Sequence, residues 1–272
     1  MSPLGNGLEY LRSSYEEHGY VVLRAILDES EISSLARYVE RIYAIWTKDN
    51  AAELTRHDLV NMHSLTDPQY FQSLPSQRVA FFEAIANAKL TQVVDAIFGS
   101  GIYFHNTQLF FNPQRNDFLP YWHRDMQYGP NDEQTQIAAL EDMVSLHVRL
   151  PLQDERGVEL IPGTHARWDT KLEKEVRFER NGHKNSEQLP NSKLIELQAG
   201  DVLIFSAQMI HRGNYALNPS RLALDLCIGK PHSLTSEFID ERAQPTAAEL
   251  EKISNRHWYA TAKNHFQGEA KH

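Results

Sequence analysis

The chain has 272 residues, 41% hydrophobic and 23% charged, the balance of a folded globular protein and not of a disordered or membrane-embedded one. Its net charge of -9, from 27 basic and 36 acidic residues, repels phosphate backbones and anionic lipid surfaces, and no apolar run reaches the roughly 18 to 20 residues of a membrane span, so nucleic acid and membrane are not expected partners. A single cysteine, Cys227, leaves no pair for a disulfide or a cysteine-based zinc site, and the N-terminus lacks the basic-then-apolar order of a secretion signal; both observations predict a cytoplasmic protein.

In chain order, Asp28-Glu-Ser-Glu31 reads as a capping box. Ile32, Leu35, Val39, Ile42 and Trp46 recur at helical spacing after it, which predicts an amphipathic helix of about 16 to 18 residues. Residues 48–75 are polar and irregular, with Asp67-Pro68 as a turn signal. A second helical region is expected over residues 76–98, stopped by Gly99. From Ile102 the hydrophobic period changes to about two, and strands are predicted at 102–112, 143–152, 158–161, 194–197, 202–206 and 221–228. From Ser236 the chain turns helical again around 247–253, then trails into Glu269-Ala-Lys-His, which is expected to fray. Helices followed by strands predict a mainly β fold with flanking α-helices: a double-stranded β-helix (jelly-roll, cupin-like) barrel buttressed by N-terminal helices. One domain is expected over 1–272, with helical support over about 1–100, the jelly-roll core over about 101–230 and a C-terminal extension over about 231–272.

Strand parity points to a polar interior. In 221–228 one face carries Leu222, Leu224, Leu226 and Ile228, and the other Arg221, Ala223, Asp225 and Cys227. In 143–152 Val144, Leu146, Val148 and Leu150 oppose Ser145, His147 and Arg149. Asn106, Gln108 and Asn112 share a face with Phe110 among them. The segment Tyr121-Trp122-His123-Arg124-Asp125 supplies a histidine and a carboxylate at i, i+2, which on an extended strand point the same way. With a distant histidine, His211, they can hold one face of a ferrous ion and leave coordination positions open. Arg221, ten residues further on, can hold the far carboxylate of a 2-oxo acid by paired, charge-assisted hydrogen bonds, or alternatively pair with Asp225 on its own face.

The ordered set Tyr121–Asp125, Gly157-Val-Glu-Leu-Ile-Pro-Gly-Thr-His165, Gly200-Asp-Val-Leu-Ile-Phe205, His211-Arg-Gly-Asn214 and Arg221 resembles the phytanoyl-CoA dioxygenase family of Fe(II)/2-oxoglutarate oxygenases, as does the opening His18-Gly-Tyr-Val-Val-Leu-Arg-Ala-Ile-Leu27. The resemblance covers most of residues 10–230. Residues 102–125 are most similar to its ectoine hydroxylase branch, although Gln108 and Phe110 differ from the polar pair on that branch's strand. Arg156 stands where an asparagine often precedes the glycine, and Thr164 replaces the usual serine. The resemblance implies His123, Asp125 and His211 as iron ligands and Arg221, with Asn106 and Gln108, as the 2-oxoglutarate site. It implies Fe(II), 2-oxoglutarate and O2 as cofactor and cosubstrates, and hydroxylation of a small metabolite with release of succinate and CO2. A carboxylate at Asp125, where halogenating relatives have Ala or Gly, implies hydroxylation over halogenation. Desaturation and epimerisation use the same iron site and stay open.

His147 and Arg149 are cavity-facing cations for an anionic or polar substrate, or else a hydrogen-bonded histidine and an arginine paired with an acidic neighbour. His165 is expected to serve the turn after Pro162-Gly163. Residues 48–75, 128–140 and 168–192 are expected to form loops covering the mouth of the barrel. Two other readings remain: a metal-binding cupin-like barrel, or a sensor without 2-oxoglutarate turnover. The dicarboxylate clamp expected at Arg221 argues against the first, and succinate release separates the second.

Overall fold

The computed structural model describes residues 3–115, 117–235 and 239–269. The chain opens with α1 (Pro3–His18), not expected from the sequence, and a short strand, β1 (Tyr20–Leu23). The capped helix is α2 (Glu29–Asp49), with Leu35, Val39 and Ile42 buried. Its capping box is complete: the Asp28 carboxylate accepts from the Ser30 and Glu31 N–H groups, and the Glu31 carboxylate accepts from the Asp28 N–H at 2.9 Å. The helix runs 21 residues, longer than expected, because nothing competes for its backbone until Asn50, whose N–H and side-chain amide both donate to the Trp46 carbonyl at 2.9 Å.

The region expected as one helix is two, α4 (Pro75–Ile85) and α5 (Ala88–Phe98). Asn87 divides them: its backbone is extended and its side chain accepts the Leu90 N–H at 3.0 Å, capping α5. Residues 48–75 are more ordered than their polarity suggested, with α3 (Ala51–His57), β2 (Asn61–His63) and a 3-10 turn at Pro68–Phe71.

The remaining strands are β3 (Tyr103–Phe111), β4 (Ser145–Pro151), β5 (Glu155–Leu160), β6 (Lys193–Leu197), β7 (Val202–Ser206), β8 (His211–Gly213) and β9 (Leu222–Gly229). They form two antiparallel sheets, a major one in the order β1-β7-β4-β9-β3-β2 and a minor one in the order β6-β5-β8. The sheets face each other as in a jelly roll, with Val158, Leu160, Ile195 and Leu197 of the minor sheet packed on Tyr20, Leu203 and Phe205 of the major one. The described strands do not close into a continuous barrel, so that part of the expectation gives way to a two-sheet arrangement. The connections carry α6 (Glu133–Ala138) and α7 (Lys171–Arg177).

At the C-terminal end the helix expected around 247–253 is only α8 (Ala247–Leu250), and the longer helix follows it as α9 (His257–Glu269). Helix α9 is held by Tyr259, whose ring lies 5.2 Å from Phe104 and whose hydroxyl donates to the Phe82 carbonyl at 2.8 Å. The expected start at Ser236 and fraying end over 270–272 lie outside the described residues. No helix among the described residues is long and apolar enough to cross a membrane.

Parity works as the sequence implied. Leu224, Leu226 and Ile228 of β9 and Leu146, Val148 and Leu150 of β4 pack in the core that the helices share. Arg221, Asp225, Cys227, Ser145, His147 and Arg149 face a cavity on the other side of the sheet. Strand β3 departs from strict alternation at a bulge between Phe104 and Asn106, which turns His105 and Asn106, consecutive residues, into the same cavity.

Two predictions follow from these elements. Gly200 turns the chain between β6 and β7 at φ 94°, and a Cβ there would lie 2.7 Å from the Leu27 carbonyl oxygen. Gly200→Ala is expected to destabilise the protein by about 1–3 kcal/mol, read from its urea midpoint. The bulge residue His105 is 1% exposed, and burial, with His265 and His147 nearby, pushes its pKa from 6.5 down to about 3. The unfolded chain therefore binds a proton that the folded chain refuses. This contribution to stability is complete above pH 6.5 and is lost as pH falls toward 3. Stability measured by urea unfolding at pH 7.5 and 5.5 should fall more in the wild type than in His105→Gln, by about 1 kcal/mol.

Candidate active site

His123 and Asp125 come together without the strand assumed for them. His123 makes an isolated antiparallel bridge to His211, donating its N–H to the His211 carbonyl at 3.0 Å and accepting the His211 N–H at 2.9 Å. Asp125 donates its N–H to the Ala207 carbonyl at 3.3 Å and opens a 3-10 turn, Asp125–Tyr128, that brings its carboxylate back toward the bridge. Ligand atoms of His123, Asp125 and His211 lie within 4.8 Å of one another. Asp125 Oδ1 is 3.6 Å from His123 Nε2 and 3.5 Å from His211 Nε2.

The donor set suits a divalent metal. Each imidazole turns its Nδ1 to a backbone carbonyl, Tyr121 at 3.1 Å for His123 and Met209 at 3.0 Å for His211. An Nδ1–H donated there leaves the Nε2 lone pair facing the carboxylate. Burial, reinforced by His123, pushes His211 down to about 3, and burial lowers His123 against the opposing pull of Asp125, so both rings are neutral at neutral pH. Burial alone would raise Asp125, but His147, His211 and His123 outweigh it and hold the carboxyl below its usual range.

The loop carrying the first two residues is anchored from behind. Arg124 is 1% exposed; its Nε donates to Asp169 at 2.9 Å and its Nη atoms to the carbonyls of Thr164, Gln208 and Arg167. Trp122 donates its N–H to the Asn185 carbonyl at 2.9 Å and its indole N–H to the Glu187 carbonyl at 2.7 Å. Arg177 pairs with Asp169 and donates to Gln127 at 2.7 Å. Residues 168–192 therefore brace this loop and contribute nothing to the cavity lining, contrary to the lid expected of them. His165, expected to serve the turn after Pro162-Gly163, instead reaches α1, its Nε2 facing the Glu16 carbonyl at 3.2 Å.

His123, Asp125, His211, Arg221, Asn106, Gln108, His147 and Arg149 all line one cavity of about 500 Å³. Arg221 is 4% exposed, with Nε 3.1 Å from Glu155 Oε1. The pairing considered with Asp225 is made instead by Arg149, whose Nη1 lies 3.4 Å from Asp225 and whose Nε donates to Glu155 at 3.1 Å. Phe110 lies beneath both guanidinium groups, 4.7 Å from Arg149 and 5.7 Å from Arg221. Arg221 Nη1 is buried and has no hydrogen-bond partner among the described residues. Gly213 leaves room for it: a Cβ at that position would lie 2.9 Å from Nη1. This cradle fits a carboxylate.

Asn106 has both ends of its amide engaged, donating to Ser64 Oγ at 3.0 Å and accepting the Thr107 N–H at 2.7 Å. Gln108 stands opposite Asp225 in the β3–β9 register. His147 Nε2 donates to Asp125 Oδ2 at 2.6 Å, and its Nδ1 lies 3.2 Å from Asp225. Burial would push this imidazole down, but Asp125, Cys227 and Asp225 outweigh burial and hold its pKa well above the ordinary value. Sequence reasoning missed Glu155, which in Asp154-Glu-Arg-Gly157 reads as an exposed turn residue, and it missed Arg124, whose position between two candidate ligands was the only signal.

Comparison with known proteins places the chain in a family. 1-Deoxypentalenic acid 11-beta-hydroxylase of Streptomyces arenae is 24% identical, over 98% of this chain and 92% of its own. Ectoine dioxygenase of Sphingopyxis alaskensis is 22% identical, over 88% of this chain and 85% of its own. HygX of Streptomyces hygroscopicus, solved with nickel and 2-oxoglutarate bound, superposes with a TM-score of 0.58 at 14% identity, covering 81% of this chain and 86% of that one, a likeness of fold. The family profile for phytanoyl-CoA dioxygenase matches residues 15–221, a span that takes in β1, both sheets up to the start of β9, the His-Asp-His cluster and Arg221, and the chain belongs to the phytanoyl-CoA dioxygenase (PhyH) family.

Proposed function

We propose that this protein is an Fe(II)- and 2-oxoglutarate-dependent dioxygenase that hydroxylates an unactivated C–H bond of a small metabolite. The observation that carries this reading is the placement of two neutral imidazoles and an ionised carboxylate in the same cavity as a buried guanidinium with an uncommitted N–H donor. His123, Asp125 and His211 would hold the metal, and Arg221 would hold the distal carboxylate of the cosubstrate, with Asn106 and Gln108 on the adjoining wall. Bound together, iron and 2-oxoglutarate supply the activation of O2, yielding succinate, CO2 and the oxidising equivalent for the substrate.

The chain's own residues do the positioning. Tyr121 and Met209 carbonyls fix the tautomers that free Nε2 of His123 and His211. Glu155 holds the Arg221 guanidinium from one side, leaving Nη1 for an incoming carboxylate. The cavity walls would orient the reacting carbon, and no side chain is required as a proton donor or acceptor. The same reading takes residues 1–272 as one oxygenase domain working in the cytoplasm without a nucleic-acid or membrane partner, supported by the net charge of -9 and the lone cysteine.

Anaerobic titration of metal-free protein with Fe(II) and 2-oxoglutarate should produce the weak visible charge-transfer band of a chelated complex, and addition of O2 should release succinate. His123→Ala should abolish the band. Arg221→Ala should keep metal binding and weaken 2-oxoglutarate binding by about thirtyfold, equivalent to about 2 kcal/mol, and Gly213→Ala should act in the same direction. Iron binding without a 2-oxoglutarate band would reject this function in favour of a cupin-like metal protein, and a band without succinate would indicate a sensor.

A further inference from the structure

The carboxylate of Asp125 sits on irregular backbone, at the first residue of a 3-10 turn. A terminal carboxylate torsion is broad and two-fold, so an aspartate in such a place can rotate either oxygen, or both, toward a metal. Here one oxygen is taken. His147 donates to Asp125 Oδ2 at 2.6 Å, while Oδ1 is the oxygen that faces His123 and His211 at 3.6 and 3.5 Å.

His147 comes from a rigid part of the molecule. It lies mid-strand in β4, paired with Phe205 of β7 on one side and Cys227 of β9 on the other. Its side chain is 6% exposed, and its ring stacks on Phe205 at 5.0 Å with planes 14° apart. On the far side Nδ1 faces Asp225 Oδ2 at 3.2 Å, on the neighbouring strand β9. Nε2 is thus bonded to a carboxylate, while Nδ1, buried and without a hydrogen bond among the described residues, lies within ion-pair range of a second one.

We propose that His147 is a positioning residue: anchored by Asp225 and the sheet, it clamps Asp125 Oδ2 so that Oδ1 alone is presented to the metal held with His123 and His211. This inference rests on the metal-site reading above. Partners that orient a ligating side chain typically contribute 10- to 100-fold in metal affinity.

The test is metal binding, not turnover. Co(II) affinity and the visible spectrum of the Co(II) form would be measured for wild type, His147→Leu and His147→Gln, with thermal unfolding of each metal-free protein alongside. The expected result is about 10- to 100-fold weaker binding and an altered Co(II) spectrum in His147→Leu. His147→Gln, whose amide can still donate to Asp125, should recover most of the affinity. Wild-type affinity and spectrum in a folded His147→Leu would overturn the proposal, as would a glutamine variant no better than the leucine one. If the leucine variant does not fold, Asp225→Asn, which keeps the shape but loosens the far side of the ring, carries the test; severalfold weaker binding supports the proposal and unchanged binding overturns it. Failure of the wild type itself to bind Co(II) would instead overturn the metal site and the proposed function.

Discussion

The backbones of His123 and His211 exchange both of their N–H···O=C bonds, and the rest of the site is registered to that pair. One residue belongs to a loop between β3 and α6, the other to the start of a three-residue strand, and neither element is long enough to fix a side chain alone. Pairing them sets the separation of the two imidazoles, whose ring centres lie 4.2 Å apart, and makes the loop an added edge of the minor sheet. The loop buries Trp122 among Ile161, Val176, Leu189 and Ile210, and polar anchors fix it further: Arg124 reaches three carbonyls and Asp169, and Trp122 reaches two more carbonyls. Each such bond, made by a buried group, is costly to leave unmade, which is what keeps irregular backbone in one conformation.

Behind the candidate metal ligands lies a second layer of buried charge. Arg149 and Arg221 share Glu155, and Arg149 and His147 share Asp225. Isolated ions in such a place would lose several kcal/mol each through desolvation, and they persist because each faces an opposite charge. The compensation is incomplete, since Nη1 of Arg221 and Nη2 of Arg149 have no hydrogen-bond partner among the described residues. Local rules broken in a buried pocket commonly mark function, and here the unmet groups belong to Arg221, Arg149 and His147, all of which line the cavity.

Much of this was legible in the sequence, for physical reasons that differ by residue. Period-two patterning placed Arg221, Asp225, His147 and Arg149 on cavity-facing sides because a strand buried against helices must separate its leucines from its ions. The capping box gave the start of α2 because its hydrogen bonds are local. What could not be read were features set by distant partners. Asn87 looked like one more helical residue until its cap was seen, and α1, β1 and β2 depend on docking against elements far along the chain. The convergence of His123 and Asp125 was anticipated for the wrong reason, since a bridge and a turn achieve what strand alternation was assumed to do. Glu155 fell between the strands expected at 143–152 and 158–161 because nothing local reports that β5 begins there, beside two arginines.

The position of residues 168–192 has a consequence for how this scaffold can change. Since this long connection props the loop of His123 and Asp125 from the outer side, it is tied to the geometry of the candidate site and not free to follow the shape of a ligand. The walls left to vary are short: Val60 just before β2, Asn61 and His63 within it, and Tyr121 and Tyr128 on either side of the candidate ligand loop. A new specificity would then arise through a handful of side chains on already anchored backbone, leaving this connection as a strut whose alteration would disturb the alignment of the candidate metal site.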